Sequence, residues 1–451
     1  MTQTINLKKG FDINLKGKAI STTKVSTLSR TFAIKPKDFD GIIPKLMVKV
    51  GDEVKAGSPL FHSKTNENLK FTSPVSGEVV EILRGPKRVI EEIRILSDSS
   101  IKYHSFGKAN PADLSEDQVK AKLLESGCWA FVQQRPFSVV ADPGDTPKSI
   151  FISGFDSSPL GVDYNHLIEN EKGNFNAGIE ALKKLTSGKV HLNLDASALN
   201  SNVFTGAKGV EITNFNGAHP VGNVGVQIHH LDPIKKGDVV WTINPYDVAI
   251  IGRLFTEGVY NAEKAVVIAG SEVKERAYFK FRIGASVESL VKNNIISDNV
   301  RIISGNVLTG EAITADGFLG FYDYQVTVIP EGDEPEFLGW LFPTYARPSI
   351  SRTLLSFMQP KKEFEVNTNP HGERRAQVFY GEYEKVLPMD LFPSHLINKC
   401  MAESLDIEAL EKLGIYELAL EDLALCEFVC TSKIPVQRYL KEAMDLVRLE
   451  A

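Results

Sequence analysis

The spacing of apolar residues changes repeatedly along this chain, and those changes limit its fold more tightly than any single motif. Across residues 28–100 apolar and polar residues alternate in short stretches, as in KLMVKVGDEVKAGSPLFHSK and FTSPVSGEVVEIL. Gly51-Asp52, Ala56-Gly57 and Ser76-Gly77 supply the turn signals of hairpins. From residue 149 the pattern becomes apolar runs separated by helix-like stretches: KSIFISGF, DYNHLIENEKGNFNAGIEALKKLT, GKVHLNLDA, then GDVVWTI, NPYDVAIIGRLFTEG and KAVVIAG. That alternation predicts parallel strands in a doubly wound α/β unit. Residues 278–330 return to β-type alternation, and after Pro388 the chain reads as helices.

Composition removes several classes of function. A formal net charge of −6 gives no support for a nucleic-acid partner, which a basic surplus would signal. The local basic run RGPKR and the pair Arg374-Arg375 read as solvated or partner-facing surface. No apolar run approaches the ~18 residues that a membrane-spanning helix needs. MTQTINLKKGFDINLKG lacks the apolar run of a signal peptide, so the chain is expected in the cytosol, soluble or held peripherally by a partner. Four cysteines, Cys128, Cys400, Cys426 and Cys430, are too few for a disulfide framework. No GxSxG elbow, Ser-His-Asp set or carboxylate pair stands out, so no catalytic residue is assigned.

The framing VKVGDEVKAGSPL…SPVSGEVV resembles the biotinyl/lipoyl-type barrel-sandwich hybrid domain. Carrier members of that family display a lysine eight residues before the proline of SPxSG. Counting back from Pro74 lands on Asn66, whose amide cannot be acylated as an amine can. Lys64 lies two positions away, and a scaffold is the expected role. RIGASVESLV…ISGNVLTG similarly resembles the β-grasp module of soluble-ligand-binding (SLBB) type.

In this order, a barrel-sandwich unit over 1–105, a Rossmann-like α/β unit over 106–277, an SLBB-like unit over 278–335, a connecting segment over 336–392 and a C-terminal helical bundle over 393–451 resemble a redox-complex subunit. The arrangement is similar to the C subunit of the Rnf electron-transport complex and to the flavin-binding subunit of complex I. It is more similar to the A subunits of the sodium-translocating NADH:quinone reductases, whose GAHPxGxxGxxIH signature is matched by NFNGAHPVGNVGVQIHHLDPI. The resemblance implies a peripheral subunit on the cytoplasmic face of the bacterial inner membrane. Its partners would be multi-span membrane subunits, and its complex would move electrons from NADH to quinone while exporting sodium.

Departures from the relatives are as informative as the matches. Flavin-binding relatives carry a glycine-rich GxGGAGFPT loop, where backbone amides approach a phosphate. The matching stretch here is ESGCWAFVQQRPFS, with no glycine between Gly127 and Gly144, so an FMN and NADH site is read as lost. GFDSSPLG also fails the G-x-G-x-x-G spacing.

Rnf-type relatives hold two four-iron clusters through C-x-x-C-x-x-C-x-x-x-C-P runs. Here the corresponding positions are Leu420, Leu423, Cys426 and Cys430, followed by Thr431, and Cys400, Glu403, Asp406 and Leu410. No metal centre is expected, and Leu423, Cys426 and Cys430 are predicted to form one buried helix stripe. NADH, FMN, FAD and iron–sulfur sites would then lie on partner subunits, with no tightly bound cofactor on this chain.

The replaced loop is the candidate quinone contact. Trp129, Phe131 and Phe137 suit stacking on a quinone ring, and Gln133 or Arg135 suits donation to a carbonyl oxygen. Plain packing or a subunit contact is the competing reading. His219, His229, His230 and Asp232 lie close in sequence, but adjacent histidines read on a strand face opposite ways and would not share an ion. A hydrogen-bonded structural role is expected for them, with a quinone-carbonyl or proton-relay role open to His219. The two functional readings are a subunit that forms or gates the quinone-reduction site and a structural adaptor with no small-molecule site.

Overall fold

The computed structural model describes residues 3–25, 29–334 and 344–450. The first eight residues of the connecting segment, 336–343, and the end of the SLBB-like unit at 335 lie outside the described residues.

The first unit folds as two small sheets. Thr31–Ile34, Ile90–Ser97, Gly77–Arg84 and Glu53–Val54 form one, and Pro44–Leu46, Pro59–Ser63 and Lys70–Thr72 the other. The stretch read as hairpin-forming around Gly51-Asp52 and Ala56-Gly57 divides between them. Pro44–Leu46 pairs with Pro59–Ser63, while Glu53–Val54 pairs with Gly77 and Glu78. Both sheets bury apolar side chains, and the rings of Phe61 and Phe71 stack at 4.6 Å. At the tip, the Asn66 side-chain oxygen accepts from the Asn68 amide at 3.1 Å, a turn-forming use of the residue in the carrier-lysine position.

A seven-stranded sheet positions the site. Its order is Gln3–Asn6, Glu211–Asn216, Lys189–Asp195, Ser149–Ser153, Val240–Thr242, Gln133–Arg135 and Val139–Val140. The first five strands are mutually parallel and the last two antiparallel. The chain steps outward from Ser149–Ser153 on one side, then returns to add Val240–Thr242 on the other. That reversal opens a crevice beyond the carboxyl ends of these two strands, the usual ligand position in such sheets. The N-terminal strand Gln3–Asn6 joins this sheet by pairing with Glu211–Asn216, not the barrel-sandwich sheets. Helices Lys172–Lys183 and Pro245–Thr256 cross at glycines: a Cβ on Gly252 would lie 1.7 Å from the Asn174 carbonyl oxygen.

The strand Glu263–Ala269, read from sequence as part of the α/β alternation, sits in a different sheet. It runs antiparallel to Tyr278–Arg282 and parallel to Gln325–Pro330, within a six-stranded sheet that also takes in Thr23–Val25. Its apolar run KAVVIAG suits any doubly covered strand, so periodicity alone does not choose the sheet.

Beyond residue 380 the chain forms helices Glu382–Val386, Pro393–Cys400, Ile407–Lys412, Leu420–Val429 and Val436–Glu450. Leu396, Leu423, Cys426, Leu440 and Val447 share a core with Phe151, Val226 and Val240 of the α/β unit. These helices are therefore seated beside the parallel sheet.

Candidate functional site

The crevice at the strand reversal is a cleft of about 220 Å³, lined by Gln133, Arg135, Ser153, Asp156, His219, Asn223, Thr242, Asn244 and Glu421 among others. Its floor is fixed by buried amides and hydroxyls. Gln227 donates to Ser153 Oγ at 2.9 Å, and Asn193 donates to Gln227 Oε1 at 2.9 Å. Asn244 caps helix Pro245–Thr256 through its Oδ1 and donates its amide to the Tyr164 hydroxyl at 2.5 Å.

Arg135 enters the cleft from strand Gln133–Arg135 and is only 4% exposed. Its Nη2 donates to Glu421 Oε1 at 2.8 Å. Nη1 lies 3.9 Å from Asp422 Oδ2, beyond hydrogen-bond reach, and neither Nη1 nor Nε makes a hydrogen bond. Unused donors on a buried guanidinium cost free energy unless a ligand accepts them.

His219, 3% exposed, comes from the loop after strand Glu211–Asn216. Its backbone amide donates to Asp12 Oδ1 at 2.8 Å. Ser157 Oγ accepts the Gly222 amide at 2.8 Å and lies 3.0 Å from His219 Nδ1, a hydrogen bond whose direction follows the ring's tautomer. The other ring nitrogen, Nε2, is buried without a partner. Burial lowers the pKa of this histidine, favouring the neutral form. Two residues lining the cleft thus hold buried nitrogens without partners, on a guanidinium and on an imidazole.

Of the six residues predicted to meet a quinone, Gln133, Arg135 and His219 come together here. Trp129 and Phe131 do not line the cleft, because the turn after Gly127 directs Cys128–Phe131 into the core. Trp129 is fully buried, donates to the Ala141 carbonyl at 2.8 Å and packs edge-on against Trp241. Phe131 stacks on Phe321 at 5.0 Å. Phe137 is turned toward the C-terminal helices, edge-on to Tyr416 at 5.9 Å.

Glu421 and Asn223 line the cleft, Ser157 contacts His219 behind it, and none of the three was singled out from sequence. Asn223 carried a signal, lying within the GAHPxGxxG segment; Glu421 is 286 residues from its partner and carried none.

The histidine pair lies on helix Val224–Leu231, not on a strand. His229 Nε2 accepts the Asp390 amide at 2.9 Å, so Nδ1 carries the proton it shares with Glu417 Oε2 at 2.7 Å. His230 Nε2 donates to the Pro388 carbonyl at 2.8 Å, and Asp232 accepts from Ser149 and pairs with Lys148. Among the described residues no group of three or more His, Cys, Asp or Glu side chains is arranged to hold a metal ion. Arg374 lies over the Tyr439 ring at 5.3 Å.

The four thiols are all buried and free. Leu423 and Cys426 lie on helix Leu420–Val429, while Cys430 caps its end and accepts the Tyr383 hydroxyl at 2.9 Å. Burial raises the Cys400 thiol to about 12 and the Cys426 thiol further.

These features define a multidomain α/β chain with a donor-rich cleft at a strand reversal and, among the described residues, no helix long and apolar enough to cross a membrane. Three family models match it: the NqrA N-terminal barrel-sandwich hybrid domain over 5–98, the NqrA second alpha/beta domain over 114–260 and the NQRA C-terminal domain over 265–315. The Na(+)-translocating NADH-quinone reductase A subunit of Yersinia pestis bv. Antiqua (strain Angola) is 37% identical over 450 residues, covering 99% of this chain and 100% of that protein. The A subunits of the same name from Vibrio anguillarum and Haemophilus influenzae (strain ATCC 51907 / DSM 11121 / KW20 / Rd) are each 36% identical, again covering 99% of this chain and 100% of theirs. The chain belongs to the NqrA family, the A subunits of Na(+)-translocating NADH-quinone reductases.

Proposed function

We propose that this chain serves as a peripheral subunit of a sodium-translocating NADH:quinone oxidoreductase and that its cleft forms or gates part of the quinone-reduction site. The observation that carries this reading is that two residues lining one cleft, Arg135 and His219, hold buried nitrogens without partners: Nε and Nη1 of the guanidinium and Nε2 of the imidazole. A quinone offers acceptor oxygens to match them. Charge that develops on those oxygens during reduction is stabilised by the fixed guanidinium, and His219 lies beside the same cleft as a hydrogen-bonding partner. Gln133 supplies a further amide at the rim.

In this division of labour NADH, FMN, FAD and iron–sulfur sites lie on partner subunits, including the multi-span ones, and this chain holds no redox group of its own. The filled turn at Cys128–Phe131 supports that reading. The chain would sit on the cytoplasmic face of the inner membrane.

One observation favours a structural adaptor instead. The cleft of about 220 Å³ is smaller than most small-molecule sites, which run from about 300 to 1,000 Å³. The deciding experiment measures quinone reduction by the complex with Arg135→Ala and His219→Ala, alongside quenching of tryptophan fluorescence when the isolated chain is titrated with a short-chain ubiquinone. Raised quinone KM in both variants and saturable quenching support the quinone site; unchanged KM and no quenching leave the adaptor. A yellow or brown preparation of the isolated chain would overturn the assigned division of labour.

A further inference from the structure

The side chain on which the cleft most depends is held by a part of the chain that reads from sequence as a leftover. Helix Leu420–Val429 is where cluster-binding relatives place cysteines, and here its first turn reaches the cleft. Glu421 Oε1 accepts from Arg135 Nη2 at 2.8 Å and lines the same cleft.

Two further contacts seat this turn. Asn223 donates its side-chain amide to the Glu421 carbonyl oxygen at 3.0 Å. Gly225 lets the helix approach closely: a Cβ there would lie 2.3 Å from Asp422 Oδ2. Asp422 is turned back on its own helix, with Oδ2 accepting the Ala419 amide at 2.9 Å. The carboxylate that hydrogen-bonds Arg135 is that of Glu421, with Asp422 an ion-pair neighbour at 3.9 Å.

Arginine at the end of a three-residue strand has several free torsions, and a buried guanidinium without a carboxylate is strongly disfavoured. One bond through Nη2 anchors one end of the guanidinium and leaves Nε and Nη1 unused. We propose that Glu421 is a positioning residue for quinone reduction, holding Arg135 so that its free N–H groups meet the substrate oxygen. This inference rests on the reading of the cleft as a quinone site. It makes the C-terminal helices part of that site, with their lost cysteines no measure of their role.

The test uses the whole complex in membranes with a short-chain ubiquinone as acceptor. Glu421→Ala is expected to raise the quinone KM about tenfold with kcat within about twofold and the KM for NADH unchanged. Glu421→Gln keeps an acceptor oxygen at the same reach and is expected to stay within about threefold of wild type. If Arg135→Ala raises the quinone KM and Glu421→Ala does not, the positioning role is overturned while the quinone site stands. A lower melting temperature in both Glu421 variants with no change in quinone KM likewise overturns it, because a merely structural ion pair would behave so. If Arg135→Ala leaves the quinone KM unchanged, the quinone reading itself fails and this inference with it.

Discussion

The hydroxyl of Tyr322 donates to the carbonyl oxygen of Ala130 at 2.6 Å. The bond ties the segment behind the cleft to a loop of the third unit. Phe321, beside it, stacks on Phe131 and meets Phe39 of the first unit edge-on at 4.8 Å. Three stretches distant in sequence are thus packed around one aromatic cluster.

Phe131→Ala is therefore expected to act through packing. The ring is 1% exposed, and removing it should cost about 3–5 kcal/mol of stability. Denaturant unfolding of the isolated chain measures this. A variant as stable as wild type would mean that the ring is not packed as described.

Asp247 makes stability depend on pH. It accepts from the Tyr324 hydroxyl in full burial, and desolvation raises its carboxyl to about 7 from the ordinary 3.8. Between these values the folded chain holds a proton that the unfolded chain has released, so this contribution is present at low pH and lost as pH rises toward 7. Asp247→Asn still accepts from Tyr324 and should flatten the fall in unfolding free energy between pH 5 and 7. Equal slopes for variant and wild type would rule the assignment out.

The crossing of helices Lys172–Lys183 and Pro245–Thr256 depends on glycine. Gly178 and Gly252 would each place a Cβ within 2.0 Å of a backbone oxygen on the other helix, whereas Gly173 has nothing within 4 Å. Gly252→Ala should cost about 3 kcal/mol or more, because backbone cannot move aside as a side chain can. Gly173→Ala should be neutral or stabilise by up to about 1 kcal/mol. Thermal melts of the two variants provide the comparison, and similar melting temperatures would contradict the close crossing.

Thiol labelling tests the fate of the cysteine motifs. Burial raises the Cys128 and Cys400 thiols to about 12, and all four cysteines are buried. At pH 8 the folded chain should resist iodoacetamide at every cysteine and react at all four in denaturant. Mass spectrometry reads the count. Fast labelling of Cys426 or Cys430 in the folded chain would show that this helix is open.

Much of the fold was legible because local rules govern it. The turn glycines and alternating strands of residues 28–100, the apolar runs from residue 149 and the helices after Pro388 all follow from period and turn chemistry. Sheet membership was not legible. Gln3–Asn6 and Glu263–Ala269 each pair outside the unit in which sequence order placed them, since the residues of a short strand carry no address for its neighbour. The histidine pair went to a helix for a related reason: eight residues are too few for period to separate helix from strand.

The sequence by itself determined the family and the local elements. Which side chains face the cleft was decided by tertiary structure. Trp129 and Phe131 go to the core while Gln133 and Arg135 reach the cleft, because the turn after Gly127 aims the first pair inward and the next strand carries the second to the sheet reversal. Glu421 meets Arg135 only because the helical tail packs against Phe151 and Val240 of the sheet. Contacts between residues so distant along the chain depend on how apolar faces pair in three dimensions, and no local pattern encodes that pairing.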